Sequence, residues 1–387
     1  MWRLRTGGRR LKAGCAPGAV LACANLTRLA AMSNLRKPKP INLALQGGGA
    51  HGAFTWGVLD RILESGDVEI RGISGTSAGA MNAVVLADGF MEGGAEGARA
   101  ALKRFWTAIS VTARASPIRR GPIDVFMGNW NIDYNPSLLL VDIMQLVSSP
   151  YDFNPWKINP LKDILEREVN FKRLRQCKEI KIFVSATNVE TGRSKVFESH
   201  EMTADMVMAS AALPFIYQAV MIDEHPYWDG GYMGNPSLWP LFGATGTDDI
   251  VIVEVNPIYR EGVPRTARDI MNRVNEISFN SSLLAEFRAI EFVQRQLARG
   301  VLDEKSYHNV RVHMIAAADK LRPLGASSKV NAEWAFLEHL FEIGRETADA
   351  WLTKHWGALG ERGTVDLRAK FEGDGDGDRD THDAAMH

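Results

Sequence analysis

Cysteine, net charge and long apolar runs are all scarce in this sequence. It has three cysteines among 387 residues, and Cys15 and Cys23 lie near the N terminus while Cys177 stands alone. This odd number argues against a disulfide framework and fits a reducing compartment, so we expect a cytoplasmic protein. The formal net charge is -1, which gives no electrostatic attraction to nucleic acid or to an anionic membrane. No Cys/His cluster has zinc spacing, and we expect no metal.

The two ends of the chain differ in composition from the middle. An Arg-rich start precedes a short apolar stretch at residues 16–24, which is too short to span a bilayer. We interpret residues 1–40 as an N-terminal extension. It is either disordered or the result of a wrongly assigned start, since translation from Met32 in place of Met1 would remove the Arg-rich segment. Residues 366–387 are predicted to be an acidic disordered tail, because their alternating aspartates lack the glutamate that would close a calcium loop. Residues 41–365 remain as one globular domain.

Two glycine motifs stand one strand-and-helix unit apart. The first, GGGAHG at residues 47–52, joins an apolar strand at 41–46 to a helix at 53–65. Unpaired N–H groups and the positive dipole end at the start of this helix favour an anion. The second motif, GTSAG at residues 75–79, joins a strand at 68–73 to a helix of small residues. This context is typical of a nucleophile elbow and predicts that the Ser77 hydroxyl projects from the turn.

Each motif has an alternative interpretation. Gly47, Gly49 and Gly52 also fit a dinucleotide-binding fingerprint, although that fingerprint needs an acidic residue near the end of the second strand. The Ser77 motif occupies that position here. A Gly-x-Ser-x-Gly pattern by itself is often an ordinary tight turn. The spacing of the two motifs favours a nucleophile paired with an anion-binding loop, and a Rossmann-like dinucleotide binder stays open as an alternative.

A nucleophilic serine needs a base, and two kinds of residue compete for this role. In α/β-hydrolases the catalytic residues follow the chain order Ser, then Asp or Glu, then His, so a histidine late in the chain could be the base. The candidates are His308, His313, His339 and His355. None of them has a distinctive local setting. The other candidate is Asp229, at the head of a Gly-Gly turn, which could take the hydroxyl proton directly if it lies within hydrogen-bond reach of Ser77. An Asp-Gly-Gly stretch alone is usually a turn, so the residues themselves leave both bases open.

Four motifs, in this order, resemble the signature blocks of the patatin-like phospholipases over about residues 41–241. They are the glycine loop, the Ser77 motif, the ASAALP segment at residues 209–214, and Asp229-Gly230-Gly231. The resemblance, which is closest to bacterial members, implies a Ser-Asp dyad with Ser77 as nucleophile and Asp229 as proton acceptor. The other implied site residues are Gly47, Gly48, Gly49 and Gly52 in an oxyanion hole, Gly75 and Gly79 in the elbow, and Pro214, Gly230 and Gly231 in a supporting motif. One departure is His51, where relatives often carry Arg or Lys, so we expect a less cationic loop at neutral pH.

The resemblance also implies a fold and an activity. The fold is α/β, with three α/β/α layers around a mainly parallel central sheet. The activity is hydrolysis of lipid acyl esters through an acyl-enzyme, of the phospholipase A, lysophospholipase or carboxylester hydrolase type, with no cofactor and with transient contact at a membrane surface. Because a lone carboxylate would be the base, activity should not fall with a pKa near 6.5. A catalytically silent scaffold that binds lipid or protein is a further alternative.

The rest of the chain completes the predicted architecture. Residues 110–160 are rich in Pro, Asn and Trp around an apolar run at 138–147, which predicts either a cap or lipid-contacting patch over an acyl pocket, or a core helix with ordinary loops. We further predict a hairpin from residues 181–186 and 195–197, strands at 249–255 and 310–316, and packing helices at 267–298 and 332–356.

Overall fold

The fold is built on one eight-stranded sheet. The computed structural model describes residues 37–133 and 135–373, so most of the extension predicted at residues 1–40 and of the tail predicted at residues 366–387 lies outside the described residues. The strands are β1 Lys39–Leu45, β2 Val68–Gly75, β3 Lys181–Asn188, β4 Ser194–Glu198, β5 Val220–Ile222, β6 His225–Asp229, β7 Asp249–Val253 and β8 Arg311–Ile315. Their order across the sheet is β5-β6-β3-β2-β1-β7-β8, and β4 also pairs with β3.

The centre of the sheet is parallel and one side is antiparallel. β1 pairs in parallel with β2 on one side and with β7 on the other. The pairs β2–β3 and β7–β8 are also parallel. β4 and β6 run antiparallel to β3, and β5 is antiparallel to β6. All five residues of β7, sequence DIVIV, are buried, as expected for a central parallel strand covered on both faces.

Helices cover both faces of the sheet. Within the described residues they are α1 Gly52–Ser65, α2 Ala78–Ala113, α3 Pro122–Phe126, α4 Pro136–Val147, α5 Pro150–Phe153, α6 Pro160–Glu168, α7 Phe171–Leu174, α8 Ala204–Ala209, α9 Ala267–Ala298, α10 Ala318–Leu321, α11 Trp334–His355 and α12 Leu367–Glu372. α2 departs from helical geometry at Gly93 and Gly94. Short 3-10 turns lie at Gly49–His51, Gly230–Tyr232, Trp239–Leu241, Ala326–Val330 and Trp356–Ala358.

The alternation of side chains along β1 separates two hydrophobic cores. Leu43 and Leu45 belong to the core that contains Phe54 of α1. Ala44, pointing the other way, belongs to the core that contains Phe287 of α9. Because successive strand residues face opposite sides of a sheet, this division gives helix, sheet and helix layers. The predicted three-layer α/β/α fold with a mainly parallel sheet is confirmed.

α1 and α11 pack together unusually closely through two glycines. The Cα of Gly57 on α1 lies against the backbone carbonyl of Phe341 on α11, and Gly344 on α11 lies against the carbonyl of Phe54 on α1. A side chain at either position would meet backbone atoms of the neighbouring helix. The helix that follows the glycine loop is therefore held by a helix from the C-terminal part of the chain.

Most predicted elements are confirmed, and two regions are more informative. The helix predicted at residues 267–298 has these bounds, and the predicted hairpin forms from β3 and β4. α4 is not the buried core helix that one interpretation of residues 110–160 required, because Leu139, Leu140 and Val147 are exposed. α12 occupies the first residues of the segment assigned to the tail, since Leu367 is buried in the core beside α9. No helix among the described residues is long and apolar enough to cross a membrane.

Candidate active site

Ser77 lies in a strained turn between β2 and α2. Its backbone angles are φ 54° and ψ -121°, a region that non-glycine residues rarely adopt and that a sharp strand-to-helix turn imposes. A Cβ on Gly75 would lie 2.7 Å from the backbone of Gly79, so the turn has no room for side chains at its ends. Ser77 is partly exposed while Thr76 and Ala78 are buried. The turn therefore presents the serine, as the sequence predicted.

The glycine loop runs directly beside this turn. A Cβ on Gly47 would lie 2.7 Å from the Cβ of Ser77, so a side chain there would separate the two motifs. Gly47 donates its N–H to Asn235 Oδ1 at 2.7 Å, and Gly52 donates to main-chain carbonyls of the loop. Among the hydrogen bonds that the structure describes, none uses the N–H groups of Gly48 and Gly49. Two of the four predicted oxyanion-hole glycines thus have N–H groups available for a ligand, and the other two use theirs within the fold.

Asp229 ends β6 and faces Ser77. Its carboxyl group accepts a hydrogen bond from the Gly231 N–H at 2.7 Å, and the Ser77 side chain lies close enough to favour its ionised form. The residue is 2% exposed. Burial raises the pKa of Asp229 to about 7, because desolvation of the carboxylate outweighs the stabilisation from the Gly231 N–H and the Ser77 side chain. Protonated and ionised forms are therefore both present near neutral pH.

The ASAALP segment connects the serine turn to the aspartate. Ser210 Oγ accepts a hydrogen bond from the Ser77 N–H at 2.9 Å, and its carbonyl accepts from the Gly230 N–H at 3.2 Å. The Asp229 N–H donates to Ala212 O at 2.9 Å, and Thr187 Oγ1 on β3 donates to Asp229 O at 2.8 Å. These bonds fix the backbone on both sides of the Ser77 and Asp229 side chains. The sequence singled out this segment as a motif but did not indicate its contacts.

The late histidines have other neighbours. These are Asp248 for His308, Asp249 and Thr364 for His313, Trp130 for His339 and Trp351 for His355. In the part of the chain that the structure describes, no hydrogen bond joins a histidine to Ser77 or Asp229. Of these candidate bases, Asp229 is the one whose pKa the Ser77 side chain influences.

His51, within the glycine loop, is buried and uncharged. Its Nε2 lies 2.8 Å from Ser328 Oγ, and this hydroxyl donates to Gly325 O at 2.6 Å. The hydroxyl proton is therefore already used, so His51 Nε2 must be the donor in their bond. Burial, and then the positive charges of Lys329 and Arg260, lower the pKa of His51 to about 3. The loop thus carries no cationic side chain at this position at neutral pH, in agreement with the expectation for His51.

A cluster of buried amide side chains, which was not predicted from the sequence, lies under the loop. Its members are Gln46, Asn235, Asn256 and Asn280. Gln46 Oε1 accepts from the N–H groups of Val255 and Asn256, both at 2.9 Å, and its Nε2 donates to Asn235 O and Asn280 Oδ1, both at 3.2 Å. The one local signal was Gln46, a polar residue at the end of an apolar strand. The other three come from distant parts of the chain.

A mostly apolar cavity of about 730 Å³ is lined in part by Thr187, Trp228 and Tyr232. Trp228 precedes Asp229 in the sequence, and Thr187 Oγ1 donates to Asp229 O. Val147, Pro214 and Phe215 line it as well. Nearby Asp229 also contributes to raising the pKa of Tyr232 to about 12, after burial. The cavity is of the size that holds small apolar ligands, and Pro214 belongs to its wall.

Fold and site together define a class of protein. An accessible serine in a strained turn lies beside an anion-binding loop, at the carboxyl ends of β1 and β2 in a parallel sheet, as in hydrolases of α/β architecture. The chain belongs to the patatin-like phospholipase family, whose sequence profile matches residues 43–242. All four predicted motifs fall in that range, and the class is accordingly that of lipid hydrolases. No curated protein matches the chain.

Solved structures of two bacterial proteins are similar to this chain. VipD from Legionella pneumophila is 15% identical, with a TM-score of 0.33, over 79% of this chain and 67% of its own. ExoU, in the ExoU–SpcU complex from the type III secretion system of Pseudomonas aeruginosa, is 17% identical, with a TM-score of 0.33, over 84% of this chain and 53% of its own. The chain thus spans about half the length of ExoU.

Proposed function

We propose that this protein hydrolyses acyl esters of lipids with Ser77 as nucleophile and Asp229 as its base. The observation that carries the proposal is the strained turn that presents Ser77 beside the buried Asp229 carboxyl group, whose pKa the Ser77 side chain influences. Backbone strain of this kind is retained where the surrounding structure enforces it, and it clusters at reactive positions.

The reaction follows from the positions of four groups. The Asp229 carboxylate accepts the Ser77 proton as Oγ attacks the ester carbonyl carbon. The N–H groups of Gly48 and Gly49 donate to the oxyanion that forms. Collapse of the tetrahedral intermediate expels the alcohol, which takes the proton back from Asp229 and leaves an acyl-enzyme. Water, deprotonated by Asp229, then attacks the acyl-enzyme and releases the fatty acid and Ser77.

The apolar cavity is the proposed site for the acyl chain. Its wall includes Trp228, Tyr232, Pro214 and Phe215, which offer hydrophobic surface, and the charge of Asp229 acts on Tyr232. Burying methylene groups there contributes about 0.8 kcal/mol each, so a long acyl chain gains most of its affinity from this contact. The substrates of phospholipase A, lysophospholipase and carboxylester hydrolase all carry an acyl ester, and we propose that its acyl chain binds in this cavity.

Labelling with a fluorophosphonate probe tests the proposed nucleophile and base. Purified wild-type protein should carry the probe on Ser77 when mapped by mass spectrometry. Asp229→Asn should label at least about 100-fold more slowly, because a neutral amide cannot take the hydroxyl proton. Asp349→Asn, which changes an exposed carboxylate on α11, is the matched control and should label normally. A folded wild-type protein that takes up no probe would contradict the proposed activity.

We further propose that α3, α4 and the connection after α5 contact the surface of lipid aggregates. Phe126 is 89% and Trp156 81% exposed, and large exposed apolar side chains of this kind mark interaction surfaces. Val147 and Phe215 are exposed as well and line the apolar cavity.

Hydrolysis of aggregated and of monomeric substrate separates surface contact from catalysis. The double variant Phe126→Ser/Trp156→Ser should bind phosphatidylcholine vesicles less well and hydrolyse their lipid more slowly than wild type. Its rate on a water-soluble short-chain ester should stay unchanged. Val301→Ser, at an exposed position after α9, is the control. Equal losses on both substrates would show that the two side chains serve the fold and not the lipid surface.

A further inference from the structure

A C-terminal turn packs against the glycine loop. The Ala326–Val330 turn places the carbonyl of Lys329 against the Cα of Gly49, where a side chain on Gly49 would collide with it. Ser328 of the same turn accepts the hydrogen bond from His51. Because φ of Gly49 is +59°, this position is strained for any other residue. The turn and the loop are therefore in close contact at both Gly49 and His51.

A chain of hydrogen bonds links the Lys329 ammonium group to the loop backbone. Lys329 Nζ donates to Asn256 Oδ1 at 2.7 Å, and Asn256 Nδ2 donates to Gly47 O at 2.6 Å. An ammonium group has donors and no acceptor, so Asn256 must turn its oxygen toward Lys329. Its amide nitrogen must then face Gly47. Lys329 thereby decides which end of the Asn256 side chain contacts the loop.

The bond to Gly47 O also sets the direction of a proposed oxyanion donor. In a trans peptide the carbonyl of residue 47 and the N–H of residue 48 point in opposite directions within one plane. With Gly47 O held inward by Asn256, the Gly48 N–H is directed outward from the fold. A positive charge at the end of such a chain also polarises each bond along it, which strengthens the terminal donor.

We propose that Lys329 is a positioning residue for the reaction, acting through Asn256 and the Gly47–Gly48 peptide on the donor that binds the oxyanion. The inference rests on the proposed function, since it concerns the same reaction. It extends that function to a residue outside the matched range of 43–242, on a segment with no catalytic motif. Lys329 itself does not touch the substrate in this arrangement.

The charges around Lys329 set the pH range in which it acts. Burial lowers its pKa to about 8, the Glu276 carboxylate opposes this effect, and the positive charge of Arg260 adds to it. Arg260 and Arg273 both contact Glu276, at 2.8 and 3.4 Å, which weakens the influence of the carboxylate on Lys329. His51, the other titratable group at the loop, is neutral. Lys329 is thus mainly charged at pH 7 and neutral above pH 9.

The test measures kcat and KM for a water-soluble ester in wild type, Lys329→Met and Lys329→Arg across pH 6–10. Lys329→Met should lower kcat about 10-fold or more at pH 7.5 and change KM less than about threefold, because the charge acts on the developing oxyanion. Wild-type kcat should fall as pH rises through about 8. This alkaline limb should be absent in Lys329→Met and move to higher pH in Lys329→Arg, which keeps its charge.

Controls separate this inference from folding and from the proposed function. Lys320→Met removes an exposed lysine nine residues earlier that pairs with Glu346, and it should leave kcat and its pH profile unchanged. Equal Tm values for wild type and Lys329→Met would attribute the loss to catalysis. An active wild type with an unchanged kcat and alkaline limb in Lys329→Met would overturn this inference alone. An inactive wild type that takes up no fluorophosphonate would overturn the proposed function, and this inference with it.

Discussion

At the scale of single residues, burial changes the chemistry of Asp229 most. A carboxyl group in water titrates near 3.9, and on that basis the sequence predicted activity with no titration near 6.5. The structure corrects this expectation, because desolvation raises the pKa of Asp229 to about 7. A base with a pKa close to the working pH combines adequate ionisation with adequate basicity. The burial that raises the pKa of Asp229 would thus make it a better proton acceptor in the proposed reaction.

The first prediction is an acid limb in the pH dependence of kcat/KM with a midpoint near pH 7. The protonated form of Asp229 cannot accept the Ser77 proton, so activity should rise as pH increases through the pKa of the free enzyme. Measuring kcat/KM for a soluble ester from pH 4 to 8 checks this. His308→Asn and His339→Asn should leave the limb in place. A midpoint below pH 5 would show that Asp229 is not desolvated in solution.

The second prediction concerns stability, with Asp229→Asn as the variant. Since the folded pKa is raised from 3.8 to about 7, the native state binds more protons than the unfolded state between these values. Wild-type stability therefore decreases as pH rises through this range, by about 1.4 kcal/mol per pH unit at most. Asparagine has no charge to desolvate, so the free energy of unfolding of Asp229→Asn relative to wild type should increase by about 2–3 kcal/mol from pH 5 to pH 8.

Urea unfolding of both proteins at the two pH values measures this difference. Asp349→Asn, an exposed position, should show a much smaller change between the two pH values. If the advantage of Asp229→Asn were larger at pH 5 than at pH 8, the sign of the Asp229 pKa shift would be wrong. With the expected sign, Asp229→Asn would be more stable than wild type at pH 8 and, under the proposed mechanism, less active. This is the usual relation where a catalytic group is buried at a cost in stability.

At the scale of secondary-structure elements, α11 holds α1 and hence the glycine loop at its N terminus. The contact depends on glycine at the helix crossing, and the sequence pattern of α11 predicted a packing helix without showing its partner. Helical periodicity identifies an apolar face, but it does not state which surface that face covers. The partner of α11 is set by the glycines that allow two backbones to approach.

The third prediction is that Gly344→Ala lowers the free energy of unfolding by up to about 2 kcal/mol. Alanine is intrinsically the better helix former by about 1 kcal/mol, but its Cβ would meet the backbone of α1 at Phe54 and Val58, and overpacking of this kind costs about 1–3 kcal/mol. Gly357→Ala is the matched control, since nothing lies within 4 Å of the added Cβ. Urea midpoints measure both, and a neutral or stabilising Gly344→Ala would mean that the helices can separate at no cost.

At the scale of the whole molecule, the family motifs do not contain the whole fold. The matched range ends at residue 242, whereas β7 and β8 complete the parallel sheet beside β1. α11, which packs on α1, lies later still, as does Lys329 beside the glycine loop. Chain segments from both sides of residue 242 therefore build one site.

The fourth prediction compares two shortened chains. Residues 37–242 should not fold cooperatively, because β1 would lose its β7 neighbour and α1 its contact with α11. Residues 37–373 should unfold in one cooperative transition and keep the esterase activity of the full chain, as the predicted extension and tail imply. Circular dichroism with thermal unfolding, followed by fluorophosphonate labelling, distinguishes the cases. A folded and reactive 37–242 fragment would contradict the role given to the C-terminal half.

The sequence by itself determined the features that are encoded by neighbouring residues. The strand, turn and helix around Ser77, the glycine loop, and the Asp229 turn are each contiguous, so local pattern and motif order were enough to predict them and the family. Alternating or continuous apolar residues likewise predicted the bounds of most strands and of α9, because these elements bury surface with a fixed period.

Tertiary structure alone decided what depends on burial and on residues far apart in the chain. The raised pKa of Asp229 comes from the removal of water by the packed fold, and no local pattern carries that information. Asn256 and Lys329 reach the glycine loop from positions more than 200 residues away. The base that we propose for Ser77 could not be chosen from the sequence for the same reason, since Asp229 comes near Ser77 only once the sheet has brought their strands together.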